Sequence, residues 1–153
     1  MRVSAKADYA VRAAVELAAA GEGPVKGDRI AKAQGIPLRF LENILGELRH
    51  AGIVRSQRGA EGGYWLARRP EEITLADVFR AVEGPLASVR SESPEDLTYA
   101  GSAVALREIW VALRAGIRDV LEAITLADVV ANELPDSVSR LTEGDEVWHS
   151  PQR

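Results

Sequence analysis

Cysteine is absent from this 153-residue chain. Disulfides, thiolate zinc sites, cysteine nucleophiles and thiol redox switches are therefore excluded, and packing alone must stabilise the fold. Histidine is scarce as well. His50 and His149 lie far apart, and neither has a second ligand at metal-binding spacing, so we expect no metal site.

Long apolar runs are also missing. No stretch approaches the roughly 20 apolar residues of a membrane span, and the first 20 residues contain no charged region leading into an apolar run. We therefore expect a cytoplasmic protein with no membrane partner. Enzyme signatures are missing too, since no Ser-His-Asp set, phosphate-binding loop or dinucleotide fingerprint occurs. Neither catalytic residues nor a cofactor is expected.

Only the first half of the molecule has a net positive charge. The whole chain carries a net charge of -4, which argues against a protein that coats nucleic acid by bulk attraction. Residues 1–80 hold 13 Lys and Arg against 10 Asp and Glu, whereas residues 81–153 hold 6 against 13. This modest asymmetry is what we expect if only the first half faces phosphates.

A short amphipathic helix is predicted in the basic half. Leu38, Leu41, Ile44 or Leu45, and Leu48 recur at spacings of three and four, and Gly52 followed by Ile53 is a typical helix C-terminus. The opposite face carries Arg39, Glu42, Asn43, Glu47 and Arg49. Such side chains can reach base edges and phosphates from a helix in the DNA major groove.

A β-hairpin is predicted immediately after this helix. Val54–Gln57 and Tyr64–Ala67 have the composition of short strands, and Gly59, Gly62 and Gly63 give the turn its backbone freedom. Arg55 and Arg58 flank that turn. A guanidinium on a thin glycine loop can enter a minor groove that is too narrow for a helix. The competing interpretation is an ordinary basic surface element, whose charges only solvate it.

Two further helices precede this pair. Ser4 can cap a helix running to about Ala20, and Asp28–Gln34 forms a short helix closed by Gly35. Three helices followed by a hairpin make a winged helix-turn-helix. The tetrapeptide Thr-Leu-Ala-Asp occurs twice, at residues 74–77 and 125–128, and each copy is a predicted helix N-terminus. We interpret the repetition as shared capping chemistry and not as duplication.

The longest periodic segment lies in the acidic half. Its apolar residues follow a heptad pattern over 19 residues, about 28 Å of helix, and are Leu106, Trp110, Leu113, Ile117, Val120 and Ile124. This seam favours a homodimer, because helix-turn-helix proteins commonly bind two half-sites through a two-fold axis. The alternative is a helix that buries the seam against its own domain.

The predicted fold class is mainly α with a small β-hairpin: a winged helix-turn-helix domain plus a long C-terminal dimerisation helix. The domain boundaries are residues 1–84 for the DNA-binding domain and 85–101 for a loop. Residues 102–134 hold the dimerisation helix and a short terminal helix. Residues 135–153 are rich in Ser, Glu, Asp, Gly and Pro and are predicted to be a flexible tail.

Several motifs together resemble one family of bacterial winged-helix transcriptional regulators, the Rrf-two type that includes IscR, NsrR and CymR. The motifs are MRVSAKADYAVRA, FLENILGELRHAGIVRSQRGAEGGYWLA, ITLADVFRAVEG, ALREIW and the second ITLADV, and the R-G-x-x-G-G-Y core is the most specific. The resemblance runs to about Leu134. It implies a homodimeric DNA-binding regulator, most often a repressor, with its third helix in the major groove and its wing in the minor groove.

The resemblance also assigns roles to individual residues. Glu42 and Arg58 match residues that read bases and the minor groove, and Arg2 and Lys6 match phosphate contacts. With the residues predicted from composition and spacing, the candidate DNA-contacting set is Arg2, Lys6, Arg39, Phe40, Glu42, Asn43, Arg49, Arg55, Ser56, Arg58, Gly59, Gly62, Gly63 and Tyr64.

Many members of that family hold an iron-sulfur cluster with three cysteines, and this chain departs from them. The last cysteine position holds Val104, a neighbouring histidine position holds Arg107, and the loop offers Ser91, Ser93 and Ser102 but no thiolate. Neutral hydroxyls are poor ligands for such clusters, so we reject a cysteine-bound cluster.

A remnant effector pocket is a second expectation from the family. Its candidate residues are Asp8, Tyr9, Arg12, Arg107 and Trp110. Asp8 matches a carboxylate ligand of some relatives, but an ordinary helical pair with Arg12, four residues on, is the simpler interpretation.

The sequence therefore predicts a dimeric transcriptional regulator whose partners are a palindromic double-stranded DNA operator and a small-molecule effector or partner protein. The rival hypothesis is a winged-helix module that docks another protein and does not bind DNA.

Overall fold

The computed structural model describes residues 1–151. Its helices are α1 (Ala5–Ala20), α2 (Gly27–Gln34), α3 (Leu38–His50), α4 (Leu75–Glu83), α5 (Leu106–Leu121), α6 (Leu126–Ala131) and α7 (Asp136–Ser139). Two strands, β1 (Val54–Gln57) and β2 (Gly63–Leu66), form an antiparallel hairpin between α3 and α4. The predicted fold class, a mainly helical winged-helix chain with a small hairpin, is confirmed.

Helix α1 lies at the centre of the core. It begins where the Ser4 hydroxyl accepts a hydrogen bond from the Ala7 amide at 3.0 Å, and it ends at Ala20 before Gly21. Its buried residues are Ala7, Ala10, Ala13, Ala14 and Leu17. Because most of them are alanines, other helices can approach the α1 backbone closely, and α3, α4 and α6 all pack on it.

Helix α3 ends as its sequence predicts. Gly52 has a positive φ of 76°, its amide donates to the Arg49 carbonyl, and the Ile53 amide donates to the Leu48 carbonyl. This is a Schellman motif, which only a residue tolerant of a left-handed backbone closes without strain. The buried face begins at Leu41, however. Leu38, expected in the packed stripe, is 42% exposed because it lies in the open first turn after Pro37.

The hairpin is anchored to the rest of the domain by a residue that the sequence does not single out. In the hairpin, Val54 pairs with Leu66 and Ser56 with Tyr64. On its outer side Tyr64 also pairs with Val25, each amide donating to the other residue's carbonyl at 2.8 Å. The loop between α1 and α2 thus adds a third, one-residue strand. Strand β2 runs from Gly63 to Leu66, one residue earlier than predicted.

Both Thr-Leu-Ala-Asp copies cap helices, as predicted. The hydroxyls of Thr74 and Thr125 accept hydrogen bonds from the amides of Asp77 and Asp128, at 3.2 and 3.1 Å. Each aspartate carboxylate in turn accepts from the threonine amide, at 3.0 and 2.8 Å. Each pair is a reciprocal capping box that satisfies two amides at the start of α4 or α6.

The two capping boxes also pair with each other. The Leu75 amide donates to the Ile124 carbonyl and the Leu126 amide to the Ile73 carbonyl, both at 2.9 Å. Leu126 is fully buried and belongs to the same apolar core as α1 and α3. Helix α6, expected beside the dimerisation helix, therefore packs into the winged-helix core.

Helix α5 is shorter than its heptad pattern. It ends at Leu121, and the last predicted seam residue, Ile124, is only 6% exposed within its own chain. The prediction of Ile124 as an intersubunit residue is therefore wrong, because the pairing with Leu75 draws it into the core. Beyond α6, the helix Asp136–Ser139 and two 3₁₀ turns occupy part of the segment expected to be a flexible tail. Within the described residues no helix is long and apolar enough to span a membrane.

Candidate nucleic-acid interface

One face of α3 is open to solvent along the whole helix. Leu41, Ile44, Leu45 and Leu48 are buried, and the predicted reading residues are exposed: Arg39, Phe40, Glu42, Asn43 and Arg49. The predicted exposure of this face is confirmed except at Glu47, which is half-buried. A solvent-facing helix that carries both guanidinium and amide groups can make phosphate and base-edge contacts in a major groove.

Helix α3 and the hairpin are tied together at the surface. The Arg49 Nη1 donates to the Ser56 hydroxyl at 3.3 Å, joining the end of α3 to strand β1. The side chains of Arg55 and Arg58 are exposed and have no hydrogen bond or ion pair with any residue from 1 to 151. Arg55 and Arg58, which have no partner among residues 1–151, therefore lie next to α3, whose end is hydrogen-bonded to strand β1.

The hairpin turn depends on glycine at one position for space. A Cβ on Gly62 would lie 2.0 Å from the Gln57 carbonyl oxygen and 2.8 Å from the Arg58 carbonyl carbon. The Gly62 amide donates to the Gly59 carbonyl at 3.0 Å, and Gly59 has a φ of 99°. Glycine thus allows the backbone to fold back tightly enough to leave Arg58 at the tip.

Two contacts hold the tip against the domain. The Lys26 Nζ donates to the Gly59 carbonyl at 2.7 Å. A Cβ on Gly63 would lie 2.6 Å from the Val25 carbonyl oxygen, so glycine also permits the close approach of the third strand segment. Sequence reasoning missed both Lys26 and Val25. A single pairing residue has no periodicity, so no local signal could have identified it.

The N-terminal half of α1 runs beside α3. The Lys6 Nζ lies 2.9 Å from the Glu47 Oε1, and the Tyr9 and Phe40 rings meet edge to face with centroids 5.6 Å apart. Lys6 is predicted to contact a DNA phosphate, but in the structure it is paired with a carboxylate on α3, the predicted DNA-reading helix. Arg2 is exposed.

The five candidate effector residues fall into two groups with separate partners. On α1, Arg12 pairs with Asp8 at 2.9 Å, stacks over the Tyr9 ring at 4.7 Å and donates to the Gln34 carbonyl at 2.7 Å. The predicted helical Asp8–Arg12 pair is present. This group therefore joins α1 to α2, although the buried Arg12 Nε has no hydrogen-bond partner among residues 1–151.

The second group lies on α5. The Arg107 Nε donates to the Glu95 carbonyl and the Trp110 Nε1 to the Tyr99 hydroxyl, both at 2.9 Å. An open cleft of about 1190 Å³ lies beside them, lined by residues of the 95–99 segment and of α5, Arg107 among them. The α1 residues do not line this cleft. Within one chain, the structure does not bring the two groups into one pocket.

The cleft does not have the chemistry of an iron-sulfur site. Arg107 and Arg114 both bind Glu95, the first at its carbonyl and the second at its carboxylate. A hydrogen bond from its own backbone, and then the Arg114 guanidinium, hold the pKa of Glu95 below its usual range. No cluster of three histidine, cysteine or carboxylate ligands exists in the described part of the chain. The guanidinium groups of Arg107 and Arg114 have no lone pair to offer to iron, so these residues do not fit the cluster.

Helix α5 has an apolar face that residues 1–151 cover only in part. No residue from Leu106 to Leu121 is buried, and the helix packs mainly on the turn Pro94–Asp96. Ile109 and Leu113 are 50% and 40% exposed. Leu113 belongs to the predicted seam and Ile109 lies beside it. The other seam residues of α5 are half-buried: Leu106, Trp110, Ile117 and Val120.

Comparison with known proteins gives a consistent set of similarities. The Rrf2 family model, described as an iron-dependent transcriptional regulator, matches residues 3–132. A Mycobacterium tuberculosis protein provisionally named an HTH-type transcriptional regulator is 56% identical over 144 residues, covering 94% of this chain and 89% of that protein. The HTH-type transcriptional regulator CymR of Bacillus subtilis is 36% identical over 132 residues, covering 86% and 91%.

Solved structures agree with these matches. The structure titled as CymR, the global cysteine regulator of B. subtilis, superposes with a TM-score of 0.73 and 34% identity, covering 86% of this chain and 98% of that one. The structure of T. potens IscR gives a TM-score of 0.70 and 35% identity, covering 97% of both chains.

Proposed function

This chain belongs to the Rrf2 family of transcriptional regulators, and from that premise we propose that it is a homodimeric, sequence-specific DNA-binding repressor that uses no cysteine-bound iron-sulfur cluster. It is a regulator and not an enzyme, as the family and the names of its relatives indicate. The observation that carries DNA binding is the pair of unpartnered wing arginines, Arg55 and Arg58, beside the exposed face of α3.

The dimer is supported by the apolar face of α5. Ile109 and Leu113 are exposed on a helix that buries no residue in its own chain, and a second copy would remove that surface from water. Two copies related by a two-fold axis would present two α3 helices and two wings to a palindromic operator.

The regulatory signal must come from something other than a thiolate-bound cofactor. A small molecule in the cleft beside Arg107, or a partner protein, would change operator affinity by favouring one angle between the two DNA-binding domains. An absorbance spectrum of freshly purified protein tests the negative half of this proposal. Charge-transfer bands in the visible region would contradict it.

Direct selection of DNA tests the central proposal. Genomic fragments of the source organism that the immobilised protein retains are sequenced, and affinity for one such fragment is measured at several salt concentrations. We expect the affinity to fall steeply as salt rises, because binding releases counterions from phosphates. Retention of protein and not of DNA from the same extract would favour the rival, a winged-helix module for protein docking.

The most informative single substitution removes the side chain of Arg58, at the tip of the hairpin. Arg58→Ala should weaken binding by ~1–3 kcal/mol if the guanidinium makes a specific groove contact. Its matched control is Arg29→Ala, since Arg29 is an exposed cation of the same domain outside the predicted set. Unchanged affinity of Arg58→Ala for the retained fragment would contradict the assignment of the wing.

A further inference from the structure

A residue of another helix places a positive charge beside α3. Within α3, Arg39 and Arg49 are offset by Glu42 and Glu47, so the helix brings no net positive charge of its own apart from His50. A carboxylate near DNA phosphates is repelled unless a cation lies beside it. For Glu47, that cation is Lys6 of α1.

Within residues 1–151, Lys6 is the hydrogen-bond donor to the Glu47 carboxylate and no second donor reaches it. Its Oε1 accepts from the Lys6 Nζ at 2.9 Å, and its Oε2 is buried with no hydrogen-bond partner within residues 1–151. The two side chains are only 34% and 41% exposed. Removing Lys6 would therefore leave the whole carboxylate without a protein donor, next to the surface that faces DNA.

A second contact acts on the same edge of α3. Phe40 lies seven residues before Glu47, which is two helical turns and about 10 Å along the helix, so both project from one edge. Phe40 meets Tyr9, and Tyr9 lies three residues after Lys6 on one face of α1. These two contacts hold α3 at two positions along its axis, so together they restrict rotation of the helix about that axis.

We propose that Lys6 is a positioning residue, which neutralises Glu47 and fixes the orientation of the reading helix, and that it does not act as a phosphate contact. The family resemblance predicts a phosphate contact at this residue, and the geometry assigns the other role. The inference rests on the proposed DNA binding, since its readout is affinity for DNA.

A double-mutant cycle separates the two roles. Affinity for one retained genomic fragment is measured by fluorescence anisotropy for the parent, Lys6→Gln, Glu47→Gln and the double variant, each at several salt concentrations. We expect Lys6→Gln to weaken binding about threefold to tenfold in the parent and less than twofold in the Glu47→Gln background. In that background the salt slope should not change.

Lys6→Arg is the conservative control, and it should retain most of the parent affinity because it restores a cation beside Glu47. Thermal melts show which variants are folded before affinities are compared. An equal loss from Lys6→Gln in both backgrounds, with the salt slope reduced by about 0.9, would identify a phosphate contact and overturn this inference alone. A parent protein that retains no DNA would overturn the proposed function, and the inference with it.

Discussion

Gly62→Ala is a direct test of the hairpin turn, because a single methyl group collides with backbone. The added Cβ would lie 2.0 Å from the Gln57 carbonyl oxygen and 2.7 Å from its carbonyl carbon. Real Cβ atoms do not approach so closely, and no flexible side chain can move away to relieve the contact. Gly62 has no positive φ, so the effect measured would be steric and not dihedral strain.

The cost of Gly62→Ala depends on how the hairpin turn accommodates the added methyl group. Overpacking of this kind costs about 1–3 kcal/mol, which lowers the melting temperature by roughly 2–12 °C in a chain of this length. The turn can instead open, which keeps the fold but displaces Arg58. In that case the loss appears in DNA binding and amounts to the value of one groove contact, about 5- to 150-fold in Kd.

The assay combines a thermal melt with anisotropy on a retained genomic fragment. Ala60→Ser is the control, because Ala60 is an exposed neighbour in the same turn and adding one hydroxyl there meets no such obstacle. We expect Gly62→Ala to fall below the control in stability, in affinity or in both. If it equals the control in both measurements, Gln57 and Gly62 do not approach as the structure has them.

Three further predictions address other parts of the molecule. Leu126→Ala should destabilise the fold by about 2–5 kcal/mol in a urea titration, because Leu126 is fully buried in the winged-helix core; a loss below 1 kcal/mol would place α6 outside that core. Leu113→Asp should shift the protein from dimer to monomer in analytical ultracentrifugation, with Ser102→Asp as the control; an unchanged mass would contradict the α5 interface. Hydrogen bonds from Arg80, and secondly from Arg118, hold the pKa of Glu122 below its usual 4.5. The ionised Glu122 therefore stabilises the folded state fully above about pH 4.5, and this contribution is lost as the pH falls through the lower pKa of the folded state. Melting curves from pH 7 to 3 should therefore decline less steeply on the acid side for Arg80→Gln than for the parent, and identical curves would refute the linkage.

Local chemistry made most of the helices predictable. The Ser4, Thr74 and Thr125 caps and the Gly52 terminus each involve partners within five residues, so the sequence contains the whole interaction. The hairpin was predictable for the same reason: β1 has its predicted bounds, and β2 begins and ends one residue earlier than predicted.

Contacts between distant segments were not predictable. The heptad pattern includes Ile124 by spacing, but a pairing with residues 73–75, about 50 positions earlier, buries it within the chain. The candidate interface shows the same limit. Residue type selects the candidate cations, whereas only the fold distinguishes Arg58, which has no partner among residues 1–151, from Lys6, which is paired with Glu47.

The way the hairpin is anchored bears on how such a regulator could change its affinity. Arg49 joins α3 to β1, Lys26 holds the turn at Gly59, and Val25 pairs with β2, so the wing is fixed to α3 and to the loop before α2. Moving the wing alone would break several of these contacts together. The paired capping boxes likewise join the start of α6, which closely follows α5, to the start of α4 through backbone hydrogen bonds. Each DNA-binding domain should therefore move as one body with its own α5, and an effector would change affinity chiefly by altering the geometry between two copies.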